Sequence, residues 1–251
     1  MTPAEELVHL SRELGREDRH LAILGEGNTS RDLGDGTFLV KASGTSLGTL
    51  TTDGLSRVSH AKVDGLLDRA NVSEQEIEDG LVACLADPAH KKPSVETFLH
   101  SLCLREPGVN WTGHTHTTSV LAILASTRGA EPFRRHVCPD AIVVCGRHVL
   151  EIPYINPGLD LALAVRDGLA AFRARHGKPP KVILMQNHGP VALGSSGKEV
   201  LNIMLMLDKW ARVLLGTFAA GGPNFLSEED AEKIDCRLDE AYRRKMIEAK
   251  A

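Results

Sequence analysis

The chain has 251 residues, 42% of them hydrophobic and 25% charged, with a formal net charge of −4 and a pI near 6.3. That balance suits a globular α/β domain with a sizeable core. It excludes nucleic acid or an anionic membrane as the main partner, because both need a basic surface. It leaves room for a small anionic substrate, which needs only a local positive pocket.

Thr2-Pro3-Ala4-Glu5 predicts a helix start, with Thr2 as cap, Pro3 in the first turn and Glu5 completing a capping box. Leu7, Leu10 and Leu14 then form one apolar face. The early residues carry charges throughout and no apolar run follows, so no secretory signal is expected. No uninterrupted apolar stretch is long enough to span a bilayer. Five cysteines with wide, irregular spacing read as free thiols in a reducing cytosol, and the sequon Asn28-Thr29-Ser30 is then never glycosylated.

A short apolar segment, Leu21 to Leu24, runs into Gly25-Glu26-Gly27-Asn28. Thr37 to Lys41 reads as a strand after the turn signals Gly34 and Gly36, and it enters the loop Ala42-Ser43-Gly44-Thr45. Ser73 with Glu76 forms a second capping box, for a helix to about Leu85. Pro93-Ser94 opens a helix through His100 and Leu104. Ala141 to Val144 and Val149 to Ile152 look like paired strands around Gly146. Asp160 to Arg175 is a helix closed by Gly177, and Lys181 to Met185 is a buried strand ending at Gln186-Asn187-His188-Gly189. Ser196 and Glu199 cap a long helix to about Leu215, whose apolar stripe is explained by core packing. Gly221-Gly222-Pro223 breaks to a final charged helix from Ser227. The reading is one α/β domain, residues 1–220, with a mixed, mainly antiparallel central sheet flanked by helices, and a helical tail, 221–251.

His114-Thr115-His116 is the chemically suggestive motif. On a strand, residues i and i+2 share a face, so two imidazoles can meet one ion. His188 stands at the end of an apolar strand, where a side chain is handed to a cleft. Three neutral imidazoles and an open position suit a catalytic divalent metal. H-x-H alone is weak evidence in a chain with eleven histidines. Glu96, by itself, reads as a first-turn glutamate. Gly197-Lys198-Glu199 is not a phosphate-binding P-loop, because Ala192 and Glu199 replace the required glycine and Ser/Thr.

The order of motifs carries more weight. Gly27-Asn28-x-Ser30, Ser43-Gly44, Pro93-Ser94-x-Glu96, His114-x-His116 and Asn187-His188-Gly189 follow one another in the chain. Together, over roughly residues 5 to 215, they resemble the class II aldolase/adducin family, which includes fuculose and rhamnulose phosphate aldolases and ribulose phosphate 4-epimerase. Lys41 to Thr45 and Pro153-Tyr154-x-x-Pro157-Gly158 look most like the rhamnulose branch. The resemblance implies the three-layer class II aldolase fold. It implies a zinc ion, or manganese or cobalt, held by His114, His116 and His188. It makes Glu96 the acid/base in breaking a C–C bond of a small hydroxy-ketone or sugar phosphate through a metal-stabilised enediolate. Asn28, Ser43, Gly44 and Ser94 match the family's phosphate-binding positions. The resemblance also implies a homotetramer with its active site at a subunit interface, in the cytoplasm that the free cysteines suggest.

Two departures matter. Val95 stands where phosphate aldolases often carry a second serine. The tyrosine that protonates the leaving aldehyde in fuculose-type enzymes is missing from its place some twenty residues after His116; the chain has only Tyr154 and Tyr242. The polar candidates nearby are Arg135, His136 and Asp140, and the leaving-group acid is left unassigned; His136 is a candidate, with a surface or helix-end histidine the preferred reading of it. A decarboxylase on the same scaffold is therefore the alternative, since it needs no acid for an aldehyde. A non-catalytic, adducin-like oligomeric module is the third reading, and the retained histidines and Glu96 argue against it.

Overall fold

A computed structural model describes residues 1–69 and 72–236. In chain order the elements are α1 (Pro3–Leu14), β1 (Asn28–Asp32), β2 (Thr37–Lys41), β3 (Leu55–Ser59), α2 (His60–Leu67), α3 (Glu74–Ala83), α4 (Thr97–Leu104) and β4 (Trp111–His114). They continue with α5 (Thr118–Leu124), α6 (Pro139–Cys145), β5 (Leu150–Ile152), α7 (Leu159–His176), β6 (Val182–Met185), β7 (Gly189–Gly194), α8 (Gly197–Ala219) and α9 (Glu228–Cys236).

The strands form one sheet in the order β3-β2-β1-β4-β7-β6-β5. β5 and β6 run parallel, and the other described pairs are antiparallel. Side chains alternate between the two faces, as strand geometry requires. On β6, Val182 and Leu184 join the core under α1, α5, α6 and α8. Ile183 and Met185 join the core under α4 and α7. Phe38 and Val40 of β2 pack with α2, α3, α4 and α7. The result is a helix–sheet–helix sandwich, the three-layer arrangement that the resemblance implied. Among the described residues no helix is long and apolar enough to cross a membrane.

The capping signals hold. Thr2 and Glu5, and Ser73 and Glu76, form reciprocal capping boxes, and the Ser196 hydroxyl accepts from Glu199 N–H. The stripe on α8 is core: Val200, Ile203, Met204, Leu207, Trp210 and Leu214 are all buried. The five cysteines are free.

One segment differs from its expected state. Ala141 to Val144 is not a strand but the centre of α6, with Pro139 in its first turn and Gly146 leaving it at φ +85°. The run is β-branched, yet burial of Ala141, Ile142 and Cys145 on the helical layer outweighs that preference. Val149 to Ile152 therefore has no hairpin partner there; its core, β5, pairs with β6 instead. The final helix packs on α6, with Ala231 buried and Arg147 paired to Glu228 and Glu232. The rest of the expected tail, including Tyr242, lies outside the described residues.

Candidate metal and acid/base site

Strands β1, β4 and β7 lie side by side, and their adjoining ends build the site. In register, Asn28 faces His114, which faces Val191. β4 ends at His114, so His116 lies just beyond the strand rather than on it. The extended direction persists long enough for Thr115 N–H to reach the Pro190 carbonyl at 3.2 Å. His114 and His116 therefore still point the same way, with Nε2 atoms 3.1 Å apart. His188 sits in the β6–β7 turn, after Asn187 at φ +54°. An asparagine tolerates that left-handed conformation better than other non-glycine residues.

Two glycines allow the close approach. A Cβ on Gly27 would lie 2.5 Å from the His114 carbonyl oxygen, and one on Gly189 would lie 2.4 Å from that of Thr115. No side chain fits at either position without moving the backbone that carries the histidines.

The three rings pack edge to face, with centroids 4.8–5.0 Å apart. One nitrogen of each lies within 4.8 Å of the others. His114 Nδ1 bonds the Pro190 carbonyl at 2.9 Å. A carbonyl only accepts, so Nδ1 carries the proton and Nε2 presents its lone pair. Burial pushes the His114 pKa down to about 4, which keeps the ring neutral at pH 7. Burial also lowers that of His116, whose Nδ1 stands 3.7 Å from Glu26.

This donor set fits a divalent ion. Two imidazole nitrogens on one tetrahedral ion, at about 2.0–2.1 Å each, stand about 3.3 Å apart. The 3.1 Å between His114 and His116 is close to that edge. Glu96 Oε1 and His188 Nδ1 are buried without a hydrogen-bond partner, which marks a polar centre whose needs the chain alone does not meet.

Glu96 occupies the N-cap position of α4 and is 8% exposed. Its carboxylate lies 3.2 Å from His188 Nε2 and 3.5 Å from His114 Nε2. Burial pushes its pKa up, but the His114 and His188 rings and the Asn28 amide outweigh burial, and the net direction is down. Asn28 Nδ2 donates to Glu96 Oε2 at 2.6 Å and to Ser94 Oγ at 3.2 Å. Asn28 Oδ1 in turn accepts from His100 Nε2, and His100 Nδ1 meets Ser30 Oγ at 2.6 Å. His100 is fully buried, with its pKa driven to about 3 by burial, so it stays neutral. With Nε2 donating, Nδ1 accepts from Ser30, and the Asn28 amide is locked with its NH2 toward Glu96.

The structure thus brings Glu96, His114, His116, His188, Asn28 and Ser94 together. Ser43 and Gly44 lie alongside. They are exposed, and their loop is tied to the Ser94 segment through Ala42–Pro93 and through the Lys41 carbonyl, which accepts Ser94 N–H at 3.3 Å. His100 and the supporting role of Ser30 were not read from sequence. The available signal was a histidine one helical turn after Glu96, in a segment otherwise apolar. His136 is corrected: it is 3% exposed and stacks on Trp210 at 4.8 Å, not a surface residue.

Comparisons with known proteins identify relatives of the same fold. The 3-oxo-tetronate 4-phosphate decarboxylase of Escherichia coli strain K12 is 30% identical over 202 residues, covering 78% of this chain and 79% of that protein. The uncharacterized oxidoreductase YuxG of Bacillus subtilis strain 168 is 27% identical over 202 residues; the match covers 77% of this chain but only 27% of YuxG. The crystal structure of YgbL from Klebsiella pneumoniae superposes with a TM-score of 0.69 at 26% identity, covering 92% of this chain and 96% of that one. Residues 5–215 match the family model for the class II aldolase and adducin N-terminal domain, and the chain belongs to that family.

Proposed function

We propose that this chain is a metal-dependent carbon–carbon lyase that decarboxylates a small, phosphorylated 3-oxo acid. The observation that carries the reading is the likeness to 3-oxo-tetronate 4-phosphate decarboxylases, 28–30% identical over 202 residues. The composition of the site supports it. Among the described residues no phenol is hydrogen-bonded to Glu96 or the histidines, and the exposed Tyr154 hydroxyl donates to Asn156. Loss of CO2 needs no acid for a departing aldehyde. Aldol cleavage of a sugar phosphate is the second reading, favoured by the family.

His114, His116 and His188 hold the ion, with zinc the first candidate and manganese or cobalt alternatives. A divalent ion there supplies Lewis-acid polarisation of a substrate carbonyl. Asn28 holds Glu96 Oε2 in place, which leaves Oε1 to pass a proton from water to the substrate carbon after CO2 leaves. Ser43, Gly44 and Ser94 offer short donors to the phosphate end. The homotetramer with its active site at a subunit interface rests on the family resemblance; Ile23 and Leu24, 59% and 83% exposed on the loop leading to Glu26, are apolar surface available for a subunit contact.

The test is a metal-replete assay of CO2 release from 3-oxo-tetronate 4-phosphate, run beside aldehyde release from sugar phosphates. CO2 release is the expected result. Aldehyde without CO2 would replace this reading with aldol cleavage. Inactivity on both at full metal occupancy would remove both.

A further inference from the structure

Two of the site histidines differ in what faces the ring nitrogen turned away from the cluster. His114 Nδ1 is bonded to the Pro190 carbonyl, because β4 and β7 are still paired there. His116 lies past the end of β4, and its Nε2 faces His114 Nε2. Among the described residues no backbone carbonyl is hydrogen-bonded to its Nδ1. The group opposite is the Glu26 carboxylate, with Oε1 at 3.7 Å. That contact is longer than a hydrogen bond, and a shift of about 0.7 Å closes it. Both side chains are partly exposed and have room to make it.

The loop carrying Glu26 holds the carboxylate in that place. Glu26 Oε2 accepts the Ile23 N–H at 3.0 Å, and the Glu26 N–H donates to the Ile23 carbonyl at 3.0 Å, so side chain and backbone close the same turn. On one side of Glu26, the Gly25 carbonyl lies 3.5 Å from the Lys41 ammonium. On the other, Gly27 presses against the His114 carbonyl. Within the turn Leu24 stands at φ +49°, a conformation that leucine rarely adopts, with an exposed side chain that gains no packing from it. What that backbone conformation does achieve is to aim Glu26 at His116. Two carboxylates then flank the histidines with separate tasks. Glu96 faces Nε2 of His114 and His188, inside the cluster, and Glu26 faces Nδ1 of His116, outside it.

We propose that Glu26 is a positioning residue for metal binding: its carboxylate accepts the His116 Nδ1–H and so fixes the ring with Nε2 toward the ion. This rests on the reading of His114, His116 and His188 as ligands. An imidazole whose far N–H is held by a carboxylate is a better oriented and more basic donor than one bonded to water.

The experiment measures zinc affinity of the metal-stripped full chain by competition with a chromophoric chelator. Glu26→Ala should bind zinc about 10- to 100-fold more weakly than wild type. Glu26→Gln keeps an uncharged acceptor and should fall between the two. Glu26→Ala within about twofold of wild type overturns the proposal, and Glu26→Gln as weak as Glu26→Ala gives the effect to charge alone and overturns the positioning role. A second measurement needs no variant. In zinc-loaded, 15N-histidine-labelled wild type, the assigned His116 ring should carry its proton on Nδ1 and zinc on Nε2; zinc on Nδ1 overturns the proposal. Neither readout requires turnover, so failure of the decarboxylase assay leaves the role of Glu26 standing. Wild type that binds no zinc removes the ligand set and this proposal with it, whereas tight binding that ignores Glu26 removes the proposal alone.

Discussion

Two histidine clusters sit against α4, and both contain recognisable catalytic chemistry. At its N-terminal end, Glu96 meets His114 and His188. Further along the helix, Ser101 Oγ lies 2.7 Å from His60 Nδ1, while His60 Nε2 lies 3.3 Å from Asp32 Oδ1. The second set has the order of a nucleophile, a base and an orienting acid. Yet Ser101 is fully buried, and Phe38 stacks on His60 at 4.5 Å. No substrate atom reaches that hydroxyl. In the first cluster His116 and His188 are partly exposed, at 26% and 10%, and their nitrogens converge. Similar residues at similar distances do different work because the ring nitrogens of one set converge at a partly exposed point, while the hydroxyl of the other is fully buried. The Ser101 set ties α4 to α2 and the end of β1; the Glu96 set leaves polar atoms for a ligand.

The largest effect expected from this contrast is on turnover. Glu96→Gln should lower kcat by about 10²–10⁴ while metal analysis finds the ion still bound. Wild-type activity in that variant would remove Glu96 from the chemistry and erase the difference between the clusters. Next comes metal content: His188→Ala should lose the ion on dialysis, whereas His60→Ala should keep it. Full occupancy in His188→Ala would break the ligand assignment.

Acidity gives a smaller effect. His100 and His136 are held neutral by burial, with pKa values near 3 and 4 against 6.5 in the unfolded chain. Between pH 6.5 and about 4 the unfolded state therefore binds more protons, so stability is lost as pH falls through that window. Each group contributes up to about 1.4 kcal/mol per pH unit. Urea midpoints at pH 7.5 and 5.0, on chelator-treated protein, measure it, and His136→Phe should flatten the slope. The smallest effect belongs to Ser101→Ala. It should destabilise by about 1–3 kcal/mol through the unpaired His60 and leave turnover within about twofold. Labelling of Ser101 by a fluorophosphonate would show the hydroxyl to be reachable and overturn its structural role.

Much of the fold was readable where local signals agree with burial. The capping boxes at Thr2 and Ser73, the cap at Ser196, the stop at Gly177 and the strand Val182–Met185 were all visible. β1 was not, because Asn28-Thr29-Ser30-Arg31-Asp32 has no hydrophobic pattern. Its buried face is satisfied by side-chain bonds, Thr29 to Ser11 at 2.6 Å and Ser30 to His100, which sequence periodicity does not register. α6 was misread for the opposite reason: its β-branched run has strand composition, but α8 offers it a helical surface.

The sequence by itself determined the donor types: three imidazoles, one carboxylate and a set of short polar residues, in an order that a family resemblance made specific. It also determined the glycines, since only residues without a Cβ let Gly27 and Gly189 press against the backbone of His114 and Thr115. The tertiary structure decided which groups converge. Asn28, Glu96, His114 and His188 come from segments separated by tens of residues, and only the pairing of β1 with β4 and β4 with β7 brings them within bonding distance. It also decided that Lys41 is buried, with its ammonium on the Thr45 and Gly25 carbonyls, while Ser101 is walled off. Burial and open volume are properties of packing, and no spacing along the chain encodes them.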